Sequence, residues 1–369
     1  MKKILLVFSV SLLIFLSGCV TDGLGTEINY YSDDELKDLI EEMMPDTTVD
    51  TIYDLGSFQT AVSDMISVAR SGVIGVVSAS LEATGTGSGV IYKKEGTTYY
   101  VVTNHHVVED SIALSVVYEE NGVLFEVIDE YTEILGSDPT TDLAVFTFES
   151  NQDFTVIEFA DSYELEIGEF VFAVGNPLGF TYYGTVTMGI VSGLTRYVVD
   201  GDFEATLLQH DAAISPGNSG GALLNIDGEL IGINNMKLVE EFVSNIGFAI
   251  PSNTVKRITM DLEDDGEITR PYLGISTNAQ LNVCGTDYGV CIPNVLEGGA
   301  AEAAGLLDGD TIIGYKNTSY DDFLEVMNFN DLKEAILNSQ VGEEIQLRYI
   351  RDGVTYESLV VTLGTHPDD

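Results

Sequence analysis

Short apolar runs separated by glycine and polar turns occupy the chain between residues 72 and 250. Runs of this length, rich in Val, Ile, Tyr and Phe, are typical of β-strands. A first group of predicted strands covers residues 72–80, 88–93, 99–103, 113–118 and 143–148. A second group covers residues 170–174, 184–193, 222–224, 230–234 and 247–250. Many short, evenly spaced strands favour a sandwich or barrel, and the two groups predict two β units.

The pattern changes after residue 251, where the spacing of apolar residues predicts a helix over residues 253–262. An acidic, glycine-containing stretch at 263–269 follows and is typical of a linker. Beyond it, strand-like segments at 272–276, 311–315 and 344–350 surround a helical pattern at 330–338. This order predicts a second, compact domain of mixed helix and strand.

The N-terminus has the pattern of an export signal. Two lysines precede an apolar run at residues 4–16, and small residues lead from it to Cys19. The run is shorter than the ~20 residues of a membrane-spanning helix, so an uncleaved anchor is the second interpretation. A polar, acidic spacer follows, and its capping-box pattern from Ser32 to Glu35 predicts one short helix.

Residues 16–19 also resemble the lipobox of bacterial lipoproteins, whose cysteine becomes the lipid-modified first residue of the mature chain. For this chain the resemblance implies a lipid anchor at Cys19. A diacylglyceryl group carries two acyl chains, and two chains hold a protein stably at a membrane where one chain is marginal. The protein is therefore expected outside the cytoplasm, tethered to the cell membrane.

The chain of 369 residues carries 60 acidic and 15 basic side chains, a formal charge of −45. Because this charge repels phosphate backbones and anionic lipids, nucleic acid is excluded as an expected partner. An acidic coat that keeps the protein soluble, a saline environment and cation binding all fit the excess, and composition does not choose between them.

The remaining cysteines, Cys284 and Cys291, form a closely spaced pair. In an exported protein such a pair indicates a disulfide, with two free buried thiols as the alternative. Spacing alone does not establish the separation and orientation that a disulfide requires. With two cysteines and four scattered histidines, no zinc site is predicted.

The segment around Ser219 is the strongest candidate for a catalytic site. Ser219 lies among glycines between two apolar runs. Glycines on both sides allow close approaches and direct successive N–H groups toward one point. A serine hydroxyl becomes a useful nucleophile when a base lies within hydrogen-bond reach and a third group orients that base. The sequence therefore has to supply a histidine and an acid near Ser219.

Of the four histidines, His105 and His106 directly follow a predicted strand, where a side chain is held at a barrel end. His210 precedes Asp211, and His366 lies in a polar C-terminal tail. Among the acids, Asp142 stands directly before an apolar strand that should bury it. A buried carboxylate needs partners such as an imidazole N–H, which makes Asp142 the candidate third group.

Together these segments resemble the three catalytic motifs of the HtrA/DegP proteases. The motifs are Thr103-Asn104-His105-His106-Val107, Thr141-Asp142-Leu143-Ala144-Val145 and Gly217-Asn218-Ser219-Gly220-Gly221, in the order histidine, aspartate, serine. The resemblance implies a mainly β fold, a chymotrypsin-like double β-barrel protease followed by a small α+β PDZ domain. The expected bounds are a signal peptide at 1–18, an acidic tether at 19–60, the protease at 61–258, a linker at 259–269 and the PDZ domain at 270–365.

Matched to the family motif, His106 is the base, because the family usually has asparagine where His105 stands. His210 replaces a usual threonine and is interpreted as structural. The resemblance implies that Ser219 attacks the scissile carbonyl while His106 takes its proton and Asp142 orients the imidazole. It also implies an oxyanion hole from the amides of Gly217 and Ser219, with Asn218 shaping the loop. No metal or cofactor is required.

The same resemblance implies a primary specificity pocket with an apolar lining that favours small aliphatic residues before the cut. The residues expected to line it are Ile214, Leu230, Ile231, Gly232, Ile233 and Asn234.

The C-terminal segments at 270–275, 300–306 and 307–313 resemble an HtrA-type PDZ domain. In it, the backbone N–H groups of Tyr272, Leu273, Gly274 and Ile275 would bind the terminal carboxylate of a peptide. The adjacent strand edge would accept that peptide as an added strand, so hydrophobic C-termini are the expected ligands. The insertion between Cys284 and Cys291 departs from the compact family pattern.

The function that follows is an exported serine endopeptidase acting on unfolded or mislocalised proteins, assembled as a homotrimer or larger. One alternative is a peptide-binding, chaperone-like scaffold with little proteolysis, against which the intact triad argues. Another is a regulatory protease with a narrow substrate range that responds to a PDZ ligand.

Overall fold

The computed structural model describes residues 55–200, 203–235, 245–276, 284, 286, 288–318 and 322–365. Cys19, the predicted signal segment, the predicted spacer helix and His366 lie outside these ranges. The described chain opens with helix α1 (Leu55–Ala69), followed by a 3-10 turn at Arg70–Gly72. The apolar pattern did not predict this helix. Within the described ranges, no helix is long and apolar enough to cross a membrane.

The first β unit is a seven-stranded antiparallel sheet. Its strands are β1 (Val73–Ala79), β2 (Thr84–Glu95), β3 (Thr98–Thr103), β4 (Ala113–Glu120), β5 (Val123–Val127), β6 (Thr132–Asp138) and β7 (Leu143–Glu149), with the short helix α2 (His105–Val108) after β3. They are ordered β5-β4-β1-β2-β3-β7-β6. The two ends of the sheet curl toward each other, and Thr132 Oγ1 donates to the carbonyl oxygen of Leu114 at 2.9 Å.

The second β unit is a closed six-stranded barrel with the order β10-β13-β12-β11-β8-β9. Its strands are β8 (Phe170–Gly175), β9 (Thr185–Asp200), β10 (Phe203–His210), β11 (Ala222–Leu224), β12 (Leu230–Asn235) and β13 (Gly247–Pro251). Helix α3 (Ser252–Asp264) follows. Val255, Ile258 and Leu262 form its buried face. The helix ends after the predicted end at residue 262 and covers part of the predicted linker 259–269.

One hydrophobic cluster joins the two β units. It contains Val102 and Leu143 from the first sheet, Phe172 and Leu230 from the barrel, and Ile258 from helix α3. Each β unit also has its own interior cluster. The shared cluster packs the ends of β3 and β7 against strands of the barrel, and this seam carries the candidate site.

The C-terminal domain is a small α+β unit with its own core, which includes Leu273, Ile312 and Leu347. Its strands are β14 (Pro271–Tyr272), β15 (Ile275–Ser276), β16 (Val290–Cys291), β17 (Asn294–Val295), β18 (Thr311–Lys316), β19 (Leu324–Glu325), β20 (Glu344–Arg351), β21 (Val354–Thr362) and β22 (Gly364–Thr365). Its helices are α4 (Ala300–Ala304) and α5 (Phe329–Leu337). The strand predicted over 272–276 is divided, because Gly274 adopts φ 78° between β14 and β15.

Cys284 and Cys291 form a disulfide with a Cα–Cα distance of 5.5 Å. Cys291 lies in β16 and is paired with Thr311 of β18. The bridge therefore ties the insertion of this domain to its central sheet.

Candidate active site

Strand pairing brings the histidine and aspartate motifs together. In the antiparallel pair of β3 and β7, Thr103 lies opposite Ala144. The residues that follow β3 and those that precede β7 are therefore at the same end of the sheet. His106 on α2 and Asp142 before β7 become neighbours although 36 positions separate them in the chain.

Asp142 is fully buried and held in an unusual backbone conformation with φ 58°. A tight turn leads into it, in which the Asp138 carboxylate accepts bonds from the backbone of Thr140 and Thr141 and from the Thr141 hydroxyl at 2.7 Å. Left-handed backbone costs a residue with a side chain about 1–2 kcal/mol. Such strain persists only where the surrounding structure holds the residue in place.

Two bonds connect His106 to this carboxylate. The His106 backbone N–H donates to Asp142 Oδ1 at 2.9 Å, and its ring Nδ1 lies 2.7 Å from Asp142 Oδ2. Because an ionised carboxylate only accepts, Nδ1 carries the proton and Nε2 keeps its lone pair. The His106 side chain is 24% exposed, so Nε2 is accessible for proton transfer.

His105 takes a different position. Its backbone N–H donates to the Asp142 carbonyl oxygen at 3.0 Å, whereas its ring Nε2 lies 4.0 Å from Glu109. The His105 ring therefore makes no contact with the Asp142 carboxylate. Within the described part of the chain, no three His, Cys, Asp or Glu side chains are grouped to hold a metal ion.

His210 is buried at the end of β10, opposite Gly247 of β13. A side chain at Gly247 would collide with the His210 ring at 2.3 Å, so the glycine makes room for the imidazole. Burial lowers the pKa of His210 from 6.5 to about 4, and the nearby Asp211 only partly opposes this effect. His210 is therefore a neutral packing residue against β13.

The serine loop is held by its own backbone. The N–H of Asn218 donates to Ser215 and that of Gly221 donates to Asn218, both at 2.9 Å. Gly217 has φ 104°, which L side chains rarely adopt. Among the described residues, no protein acceptor receives the N–H groups of Gly217 and Ser219. Two donors thus remain for an oxyanion.

A neighbouring segment orients the first of these donors, and another holds the loop in place. Leu178 N–H donates to the Pro216 carbonyl at 3.0 Å, and because C=O and N–H of a trans peptide point in opposite directions, the Gly217 N–H faces the other way. Ser88 Oγ donates to the Gly217 carbonyl at 2.8 Å, and the Ser88 N–H donates to the Ser219 carbonyl at 2.9 Å. The first β unit therefore braces the loop supplied by the second.

Ser219 is largely buried at the seam, with 6% of its surface exposed. None of the hydrogen bonds among the described residues joins Ser219 Oγ to His106 Nε2. In free enzymes such bonds are often long and shorten only when substrate binds. The arrangement thus supplies an oriented base, a serine and two free amides, the parts of an acyl-transfer site.

The residues expected to line a specificity pocket divide into two groups. Leu230, Ile231 and Ile233 are fully buried in the hydrophobic clusters, where they offer no accessible wall. A side chain at Gly232 would lie 2.8 Å from the Ile250 carbonyl oxygen, so this glycine serves close strand packing. Asn234 is also fully buried, and its side chain donates to the Ala222 carbonyl oxygen at 2.8 Å. Ile214 is half-buried on the serine loop. Of the residues expected to line the pocket, Ile214 is therefore the one that a substrate side chain could reach.

Three polar residues of the site were missed by the motif reasoning. Ser88 holds the serine loop, as described above. Asn104 donates to the Asp142 carbonyl at 2.9 Å and accepts from the Gly220 N–H at 2.7 Å. Asn235 donates to Asp142 Oδ2 at 2.8 Å. The available signal was a polar residue in an apolar strand or next to a catalytic motif, since buried polar groups need partners.

A cavity of about 280 Å³ lies beside the predicted carboxylate loop of the C-terminal domain. Its lining combines Tyr272, Leu273, Gly274 and Ile275 with the α5 residues Phe329, Leu332, Lys333, Ile336 and Leu337. Thr140, Thr141 and Glu204 of the first domain and Arg270 and Pro271 complete it. Lys333 forms an ion pair with Glu204. The groove thus reaches the turn that precedes Asp142.

Comparison with known proteins identifies both domains. A model of the trypsin-like peptidase domain matches residues 87–233, and a model of the PDZ domain matches residues 271–361. The serine protease Do-like HtrA of Bacillus subtilis (strain 168) is 39% identical over 324 residues, covering 82% of this chain and 70% of the relative.

Solved structures agree with that match. The HtrA-type protease AlgW with tripeptide has a TM-score of 0.63 at 29% identity, covering 83% of this chain and 97% of that chain. The serine endoprotease from Yersinia pestis has a TM-score of 0.54 at 31% identity, covering 83% and 98% of the two chains.

Proposed function

The chain belongs to the HtrA/DegP family of serine endopeptidases, and on that premise we propose that it is an exported, membrane-tethered protease that cleaves unfolded or mislocalised proteins. The observation that carries the proposal is the junction of the two β units. There His106 is accessible and hydrogen-bonded to Asp142, and the loop of Ser219 carries two N–H groups without a protein acceptor among the described residues.

In the proposed mechanism, Ser219 Oγ attacks the carbonyl carbon of the scissile peptide bond while His106 Nε2 accepts the hydroxyl proton. The imidazolium formed is stabilised by Asp142 through the 2.7 Å contact at Nδ1. The C–N bond then breaks as His106 gives the proton to the leaving amine, which leaves an acyl-serine ester. Water, deprotonated by the same imidazole, hydrolyses this ester and restores Ser219.

The negative oxygen of each tetrahedral intermediate would be stabilised by the N–H groups of Gly217 and Ser219. Fixed donors aimed at developing charge need no reorganisation during the reaction, and loss of one donor costs about 3–4 kcal/mol in comparable sites. Asn218 shapes this loop through its bonds to Ser215 and Gly221. Ile214 is the residue proposed to contact the side chain before the cut, which we expect to be small and aliphatic.

The groove between the carboxylate loop and helix α5 is proposed to bind hydrophobic C-terminal peptides. Its apolar lining from Leu273, Ile275 and Leu332 suits such side chains. The relative AlgW was solved with a tripeptide, which supports peptide binding as a property of this architecture. A peptide that pairs with β15 would extend the sheet by one strand.

A regulatory protease with a narrow substrate range is the second candidate. It is favoured by the lining of the groove, in which Thr140 and Thr141 of the turn before Asp142 stand beside PDZ residues. A ligand there would touch the segment that presents the catalytic carboxylate.

Export, lipid attachment at Cys19 and assembly as a homotrimer or larger complete the proposal. Export is supported by the signal pattern at the N-terminus and by a relative named as a probable periplasmic DegP-like endoprotease in Chlamydia trachomatis, 38% identical over 294 residues, covering 77% of this chain and 54% of that relative. The lipobox resemblance supports the anchor. Metabolic labelling with a radioactive fatty acid, with Cys19→Ala as the control, tests it.

The deciding experiment compares cleavage of casein by the chain beginning after Cys19 with cleavage by its Ser219→Ala variant. Loss of cleavage in the variant supports the assignment of the nucleophile. Equal cleavage by both proteins would refute it. If neither protein cleaves casein, even with hydrophobic C-terminal peptides present, the narrow-specificity candidate replaces general proteolysis.

A further inference from the structure

Asn235 shares an oxygen atom with the catalytic histidine. Its Nδ2 donates to Asp142 Oδ2 at 2.8 Å, and the same oxygen lies 2.7 Å from His106 Nδ1. Asn235 and Asp142 are both fully buried. Since an ionised carboxylate only accepts, the amide nitrogen is the end of Asn235 that faces it.

This contact completes the donor set of a buried charge. Asp142 Oδ1 accepts from the His106 backbone, and Oδ2 accepts from the His106 ring and from Asn235. A buried carboxylate is costly unless hydrogen bonds replace its lost water. Of these three donors, Asn235 is the one that belongs to the second β unit and does not take part in proton transfer.

Strand pairing fixes where the Asn235 amide can be. Asn235 ends β12 and lies opposite Phe248 of β13. Its neighbour Asn234 is bonded through its backbone to Gly220 at 3.1 Å and to Gly221 at 2.9 Å. Two consecutive residues of one strand therefore touch both the serine loop and the aspartate. Their spacing sets the position of Asp142 relative to Ser219.

We propose that Asn235 is a positioning residue of the protease, which holds the Asp142 carboxylate in line with His106 and moderates the negative charge that the imidazole experiences. The proposal rests on the triad assignment made above. An amide donor on Oδ2 withdraws electron density from the oxygen that stabilises the imidazolium. The contact therefore influences both the geometry of the base and the pH range over which the base is unprotonated.

Asn235→Leu tests the proposal, because leucine has a similar volume and no donor. The expected result is a fall in kcat of roughly 10- to 100-fold, the range of a hydrogen bond to a charged group, with KM unchanged. Without the competing donor, Oδ2 holds the imidazolium more strongly, so the acid limb of kcat/KM should move to higher pH. A purely structural role would lower the amount of folded enzyme without moving that limb.

Asn104→Leu is the matched comparison. Asn104 also bonds to Asp142, but through the backbone carbonyl rather than the carboxylate. Its loss is expected to lower activity by loosening Gly220 while the acid limb stays in place. Asn225→Ala is the neutral control, because the Asn225 amide bonds to Glu229, outside the site.

A second readout does not depend on turnover. The proton shared by His106 Nδ1 and Asp142 is expected as a low-field signal in the NMR spectrum, absent in His106→Gln. Asn235→Leu should move it further downfield, because one competing donor has been removed. If the wild-type protein cleaves no substrate but Asn235→Leu still moves the signal, the proposed protease function fails, whereas the proposed effect of Asn235 on the His106–Asp142 pair is supported.

Should Asn235→Leu fail to fold, Asn235→Asp replaces it, since aspartate keeps the shape of asparagine. It sets two carboxyl groups against each other, which resist holding two charges. Activity is then expected to fall as pH rises and both groups ionise. An unmoved acid limb and an unmoved low-field signal in a folded Asn235 variant would overturn the proposal.

Discussion

Arg270, the residue before the first strand of the PDZ domain, donates a hydrogen bond to Asp138 Oδ1 at 2.7 Å. Asp138 is almost fully buried and caps the turn whose next residues are Thr140, Thr141 and Asp142. A cation of one domain thus completes the turn that leads into Asp142 of the other. The chain has 15 basic against 60 acidic residues, and one of these few cations is used for a contact between the two domains.

We expect Arg270 and Asp138 to be energetically coupled. A double-mutant cycle with Arg270→Met and Asp138→Asn should give a coupling energy of about 1–3 kcal/mol in urea unfolding, since one partner is buried and the bond is charge-assisted. Hydrogen exchange at Thr140 and Thr141 should accelerate in Arg270→Met. Additive effects of the two substitutions would show that the contact contributes nothing to stability.

The same cycle on Arg348 and Glu357 provides the control. These residues form an ion pair at 2.8 Å within the PDZ domain, and the Glu357 side chain is 74% exposed. Exposed pairs of this kind couple by less than about 1 kcal/mol. The contrast separates a general effect of removing charge from the effect of the contact between domains.

The sequence predicted most of the strands for a physical reason. Apolar runs mark buried strands wherever both faces are covered, as in β7, where every residue from Leu143 to Phe148 is buried. The motifs around His106 and Asp142 stand at the ends of such strands. Once the order of β3 and β7 is known, the neighbourhood of His106 and Asp142 follows from pairing.

The elements that pattern reasoning missed lack that signal. Strand β5 is exposed along almost all of its length, so its apolar and polar residues show no regular alternation with burial. The role of Asn235 depends on a partner 93 positions away. Nothing local distinguishes it from Asn234, whose side chain donates instead to the Ala222 carbonyl. Contacts across the seam between the two β units come from tertiary packing, which periodicity does not describe.

His210 is expected to make the protein sensitive to acid. Burial lowers its pKa to about 4 from an ordinary 6.5, so the unfolded chain binds a proton at a higher pH than the folded protein does. Stability from this residue is complete above pH 6.5 and is lost as the pH falls toward 4, by roughly 3 kcal/mol in total. His210→Gln, which does not titrate, should reduce the loss over that window.

Urea unfolding of both proteins between pH 7 and 4 measures this difference. The many carboxylates contribute equally to both curves, so the difference between the curves isolates His210. Parallel curves would contradict the prediction.

The disulfide should stabilise the PDZ domain. Closing a loop as short as that between Cys284 and Cys291 removes about 2–3 kcal/mol of chain entropy from the unfolded state. The double variant Cys284→Ser with Cys291→Ser should lower the free energy of unfolding of this domain by that amount. Dithiothreitol should destabilise wild type to the same level and leave the double variant unchanged. Two reactive thiols in the unreduced, unfolded protein that begins after Cys19 would show that the bridge does not form.

Substitution of Gly217 tests the proposed oxyanion hole. A matched control separates the effect of backbone strain from the effect of moving the Gly217 N–H. With φ 104°, alanine at this position is strained, and its Cβ would lie 2.5 Å from the Asn176 carbonyl oxygen. To relieve this contact, the backbone at residue 217 has to rotate, and the rotation turns the Gly217 N–H away from the oxyanion. Gly217→Ala is expected to lower kcat by about 100- to 1000-fold with little change in KM, as for the loss of one oxyanion donor.

Gly309→Ala is the matched control, because Gly309 has φ 91° but nothing lies within 4 Å of a Cβ built there. It should lose stability and keep its kcat, so an equal loss of kcat in both variants would remove Gly217 from the proposed oxyanion hole.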